Sequence, residues 1–135
     1  MSRISPAEFS TEIGEIRTHN VQPLLHEIRH ALARWLDTGE PTLIDLRSIP
    51  MAPGEEDELV ETLGSGEIRV RLTALGKSDI IETRFPGLWL VTHYNNNDEV
   101  IGKFLEVCDM PPILKAQEED IRDGLERLET ELGRL

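Results

Sequence analysis

His26 and His30 stand four residues apart, the spacing that sets two imidazoles on one face of a helix and can hold zinc or nickel. On a helix they project away from the Leu25, Ile28 and Leu32 stripe, toward solvent, and no further ligand is identifiable, so no metal is assigned. Cys108 is the one thiol; a lowered pKa would make it a nucleophile or soft ligand, but Glu106 and Asp109 beside it disfavour the thiolate. It reads as a half-buried structural cysteine. The carboxylates Asp45, Glu67, Glu82 and Glu106 fall in or beside strand-like segments, where two facing acids would suit proton transfer. Acids on the wet face of an antiparallel sheet need no such role, and no catalytic residue is assigned. Gly64-Ser65-Gly66-Glu67 has the glycines of a phosphate-cradling loop in the wrong order, leaving a helix and entering a strand, and lacks the lysine that chemistry needs. It reads as a tight turn. Trp89 fits either a core aromatic or an exposed anchor for another protein.

The elements that position these side chains follow from period and punctuation. Ser5, Pro6 and Glu8 have the signature of a helix start, with Phe9, Ile13 and Ile16 on one face, and Asn20 then reads as the cap of a second helix. Val21, Leu24, Leu25, Ile28, Leu32, Trp35 and Leu36 recur at helical spacing, predicting a helix from Val21 to Asp37 stopped by Gly39. Thr42 to Leu46 reads as a short strand. Glu55 to Glu58 place four acids at the positive end of a third helix running through Leu63, and Gly64 and Gly66 end it. The period then changes to two: strands are expected over Glu67–Leu75, Asp79–Phe85, Leu88–Tyr94 and Glu99–Val107, with turns at Gly76-Lys77-Ser78, Pro86-Gly87 and Asn95 to Asp98. After Pro111-Pro112, Ile121, Leu125, Leu128, Leu132 and Leu135 alternate steps of four and three, the seam of a heptad helix, flanked by the opposite-charge pairs Asp123/Arg127, Arg122/Glu126 and Arg127/Glu131. This seam either covers the domain's own sheet or docks a second chain. The sum is an α+β domain spanning 1–135, a mostly antiparallel sheet of four or five strands with helices packed on one face.

Composition narrows the partners. With 26 acids against 14 Lys and Arg the formal charge is −12, so nucleic acid and anionic membrane surfaces would be repelled. A basic partner segment would be attracted. There is no apolar run near the roughly eighteen residues a membrane span needs, and MSRISPAEFS has no secretory pattern. With a single cysteine, the expectation is a cytoplasmic protein of a reducing compartment.

Taken in order, LLHEIRHAL (24–32), TGEPTLIDL (38–46), LGSGEIRVRLTALGKSDIIETRFPGLWLV (63–91) and LEVCDMPPIL (105–114) resemble the HupH/HyaF hydrogenase expression/formation proteins, over about residues 20 to 130. The Leu-Gly-x-Gly-Glu turn, the Glu82-Thr83 pair and Pro-Gly-x-Trp carry the likeness. Leu88 and Ile68 stand where the pattern has valine, and family members are usually longer. The resemblance implies a non-enzymatic, chaperone-like accessory protein in nickel-iron hydrogenase maturation, with no cofactor. Its implied partners are a hydrogenase subunit precursor, the iron-sulfur small subunit favoured, and other maturation factors. Gly64, Gly66, Glu67, Glu82, Pro86, Gly87, Trp89 and Glu106 are its matching positions, with Gly64, Gly66, Pro86 and Gly87 the structural motif; Glu67, Glu82 and Glu106, on sheet positions near Trp89, would form an acidic surface with an aromatic anchor for that partner. Two other readings stand beside it. One is a small enzyme using carboxylates with His93 or Cys108, the other a dimerisation module built on the heptad helix.

Overall fold

The computed structural model describes residues 19–74 and 76–135. In chain order these form helix α1 (Val21–Thr38), strand β1 (Thr42–Asp45), a 3-10 turn (Leu46–Ser48), helix α2 (Glu55–Leu63), strands β2 (Arg69–Ala74), β3 (Gly76–Glu82), β4 (Leu88–Tyr94) and β5 (Val100–Val107), a second 3-10 turn (Pro112–Leu114) and helix α3 (Glu118–Arg134). The helix expected from Ser5 lies outside the described residues.

Helix α1 buries Val21, Leu24, Ile28 and Ala31, one stripe of its surface, and stops where Gly39 adopts φ 73° and returns its N–H to the Trp35 carbonyl. Asn20 holds the cap position without capping: its Nδ2 donates to the Pro50 carbonyl at 2.6 Å, tying the start of α1 to the segment before α2. Helix α2 opens with Glu55, Glu56, Asp57 and Glu58, and Glu55 is buried with its Oε1 accepting the Ala52 N–H at 2.9 Å.

The strands form one antiparallel sheet in the order β1-β5-β4-β3-β2. Four of them are a meander; β1 closes the edge by pairing Thr42 with Val107 and Asp45 with Phe104 across a long stretch of sequence. The expected turn at Gly76-Lys77-Ser78 is strand instead. A Cβ on Gly76 would stand 2.6 Å from the Tyr94 carbonyl oxygen, so the glycine lets the backbones close, and Ser78 Oγ and Lys77 then hold β3 through His93 Nδ1 (2.7 Å) and Asp98 (3.0 Å). At its other end β3 stops at Glu82, because the Thr83 hydroxyl both accepts the Phe85 N–H and donates to the Phe85 carbonyl, turning the chain early.

The alternation of side chains sorts the sheet into two cores. Ile44, Leu88, Leu90, Leu105 and Val107 pack under α1 and α2 with Leu59 and Leu63. Ile80, Trp89, Val91 and Cys108 form a second cluster with Val70, Leu72 and Leu114, and Trp35 at the end of α1 touches both. Helix α3 joins neither: it buries no residue, and Ile121, Leu125, Leu128 and Leu132 are 54–60% exposed. Its ion pairs also differ from expectation. Arg122 reaches back to Glu118 and Arg134 to Glu131, the first placing the acid one turn ahead of the base as a helix prefers. No helix among the described residues is long and apolar enough to cross a membrane.

Candidate partner-binding rim

Antiparallel order brings the ends of β3 and β5 and the starts of β2 and β4 to one edge of the sheet, and the motif residues collect there. The turn after α2 is built by its glycines. Gly64 takes φ 64° with ψ −167°, backbone closed to other residues, and its N–H caps α2 through Val60. Gly66 lies against the next strand: its N–H donates to the Glu82 carbonyl at 2.7 Å, and an added Cβ would meet the Thr83 carbonyl oxygen at 2.6 Å. Arg84 fastens the turn from the other side, its backbone N–H donating to Leu63 and its Nε to Thr62, both at 2.9 Å.

Beyond it, the hairpin from Thr83 to Leu88 carries Pro86 exposed at its tip and Gly87 at φ 89°. The Gly87 carbonyl accepts the Cys108 N–H at 3.0 Å, which lays the Cys108–Leu114 segment beside the hairpin. Ile68, Phe85, Met110 and Ile113 on these three segments are 39–48% exposed, and the Arg84 guanidinium stacks over the Phe85 ring at 4.7 Å.

Of the four contact residues suggested by the sequence, the structure aligns three. Glu82 pairs with Trp89 and Trp89 with Glu106, a row across β3, β4 and β5. Glu67 is exposed just ahead of β2 and, by alternation with Ile68 and Val70, on the other parity. Trp89 is core rather than surface: it is 3% exposed and its indole N–H donates to the Cys108 carbonyl at 3.1 Å. Glu106 has one carboxylate oxygen buried with no hydrogen-bond partner, and burial pushes its pKa up against the opposing pull of His93.

Cys108 is more buried than half. Desolvation, then Glu106 and Asp109, push its thiol to about 11, against a weaker lowering by Lys115, the reverse of an activated nucleophile. Asp45 is occupied locally, capping the 3-10 turn through Arg47 N–H (3.0 Å) and the Ser48 hydroxyl (2.8 Å). His26 and His30 are exposed on α1. With Glu27 they spell the His-Glu-x-x-His order of zinc proteases, a motif that the histidine spacing considered alone passed over. Among the described residues, however, no three His, Cys, Asp or Glu side chains are gathered to hold a metal. The exposed apolar residues Ile68, Phe85, Met110 and Ile113 were also missed; Phe85, an aromatic directly before Pro86-Gly87 at a hairpin tip, was their one readable sign.

The C-terminal conserved region of the HupH hydrogenase expression proteins matches residues 18–135. The hydrogenase expression/formation protein HupH of Rhizobium leguminosarum bv. viciae is 33% identical over 123 residues, 91% of this chain and 44% of that protein. The corresponding HoxQ of Cupriavidus necator is 31% identical over 130 residues, 94% of this chain and 46% of that protein. The chain thus spans about half the length of the curated relatives it matches. Among solved structures, hydrogenase expression protein HupH from Thiobacillus denitrificans superposes with a TM-score of 0.85 at 37% identity, covering 88% of this chain and 99% of that one. A match to the conserved region over nearly its whole length, with the same fold at this identity, means that the chain belongs to the HupH hydrogenase expression protein family.

Proposed function

We propose that this chain is a cytoplasmic, non-enzymatic accessory protein of nickel-iron hydrogenase maturation, which holds the iron-sulfur small-subunit precursor at the rim described above. The observation that carries the reading is the convergence of the family's motif segments on one sheet edge, where they expose Ile68, Phe85, Met110 and Ile113 beside the acids Glu67 and Asp109. An apolar surface edged with acid, on a chain of charge −12, suits an unfinished partner segment that mixes apolar and basic residues. Within this scheme Glu82 and Glu106 supply charge along the row, and Trp89 acts from beneath, fixing the Cys108–Leu114 segment through its indole hydrogen bond. The names of the relatives, which are hydrogenase expression/formation proteins, support the pathway.

A tagged pull-down from hydrogenase-expressing cells tests it. The parent chain is expected to recover the small-subunit precursor. Phe85→Ser, at an exposed position that leaves the core intact, and the double charge reversal Glu67→Lys/Glu82→Lys are expected to lose it with the fold retained by circular dichroism. Recovery of no hydrogenase component, or undiminished capture by both variants, would refute the proposal. Trp89→Ala is the wrong probe, since it empties the core.

A further inference from the structure

Helix α3 leaves the domain with its seam bare. Ile121, Leu125, Leu128 and Leu132 are 59%, 54%, 57% and 60% exposed, and the helix, about 25 Å long for its 17 residues, buries none of them. Four branched apolar residues in a 4-3-4 rhythm are costly to leave in water and form the knobs of a two-helix seam. What pairs with them is decided by the flanks. Let a second copy of the helix lie antiparallel so that Leu125 meets Leu128 of the second copy. Ile121 then meets Leu132 of the second copy, and the two-fold axis repeats both contacts, so all four positions are filled in one register. In that register Arg122 comes opposite Glu129 of the second copy, twice, and Glu131 comes opposite the side-chain-free Gly124 of the second copy. Among the described residues Glu129 has no partner, and Arg122 holds only an exposed bond to Glu118. A parallel pair gains no such match, since it sets Gly124 against Glu129 and Gln117 against Arg122.

We propose that α3 is a self-association surface whose partner is a second copy of this chain, docked antiparallel with Leu125 and Leu128 at the centre and two Arg122–Glu129 pairs at the edges. Its seam shares no residue with the rim proposed for the precursor, so a dimer would carry two rims. The seam offers four side chains, less apolar surface than a standard interface takes from each partner, so the dimer is expected to be weak.

Sedimentation velocity of the full chain over a wide concentration range reads it. The parent is expected to shift from monomer to dimer with loading. Leu125→Asp/Leu128→Asp, at sites already exposed, is expected to remain monomeric with an unchanged melting temperature. Arg122→Glu and Glu129→Arg are each expected to weaken the dimer about fivefold, and the two together to restore it, because the swapped pair again matches. A parent that stays monomeric at every concentration overturns the proposal, whether its seam is covered from within the chain or by a different protein. A dimer that survives the aspartates, or one that the double swap does not restore, overturns it equally.

Discussion

Replacing Gly66 by alanine isolates the contact on which the motif turn depends. The added Cβ would stand 2.6 Å from the Thr83 carbonyl oxygen and 3.3 Å from that of Glu82, both backbone atoms, and 2.7 Å from Glu82 Oε1, the end of a side chain. The carboxylate can swing away; the carbonyls cannot, because Thr83 and Glu82 are held in the hairpin by Thr83 N–H to Leu88 O (3.0 Å) and Glu82 N–H to Ile68 O (2.9 Å). Backbone must therefore shift, at about 1–3 kcal/mol for an overpacked site. The 2.7 Å bond from Gly66 N–H to Glu82 O stretches with it, adding about 1 kcal/mol. The sum, about 2–4 kcal/mol, corresponds to a fall of about 10 °C in the melting temperature of a domain this size. Gly39→Ala is the control: its site has φ 73° and open space around it, so only left-handed strain of about 1 kcal/mol is expected. Thermal and urea unfolding followed by circular dichroism measure both. A Gly66→Ala protein within about 0.5 kcal/mol of the parent, no worse than an ordinary surface substitution, would show that the close approach is not what requires the glycine.

Three further outcomes are expected. Trp89→Phe removes the donor to the Cys108 carbonyl and part of the second core, and should cost about 1–3 kcal/mol in urea unfolding; a neutral result would mean the bond contributes nothing. Cys108, with its thiol raised from 9.0 to about 11, should be alkylated at pH 8 about a hundredfold more slowly in the native than in the unfolded chain, even before steric shielding is counted; equal rates would contradict the burial. Glu106 has a native pKa above its ordinary 4.5, so the native state holds the proton more tightly and this group's contribution to stability falls as pH rises through 4.5 toward the raised value. Glu106→Gln should therefore be more stable than the parent at pH 7, with the advantage shrinking as pH falls from the raised value toward 4.5 and gone below it, and a loss of stability at pH 7 would refute this.

Much of this protein was readable from residue order alone, wherever the determining interactions are local. The period of α1 and its stop at Gly39, the acids opening α2 and the span of β4 from Leu88 to Tyr94 follow from side-chain alternation and backbone preference within a few residues. The ordered motifs marked the family, and Glu106 and Asp109 foretold a thiol that stays protonated. Tertiary structure decided everything that depends on which surface meets which. The pairing of β1 with β5 joins segments some sixty residues apart. Gly76 is drawn into a strand by pairing with Ala74 and lets the Tyr94 carbonyl approach, and Gly66 is required by the Thr83 carbonyl rather than by its own φ. Alternation can tell that Trp89 and Glu106 share a face, but only the Cys108–Leu114 segment folding alongside decides that the indole is buried and bonded. The heptad of α3 shows the same division. Its spacing announces an apolar seam, and spacing is blind to whether the chain folds back to cover it.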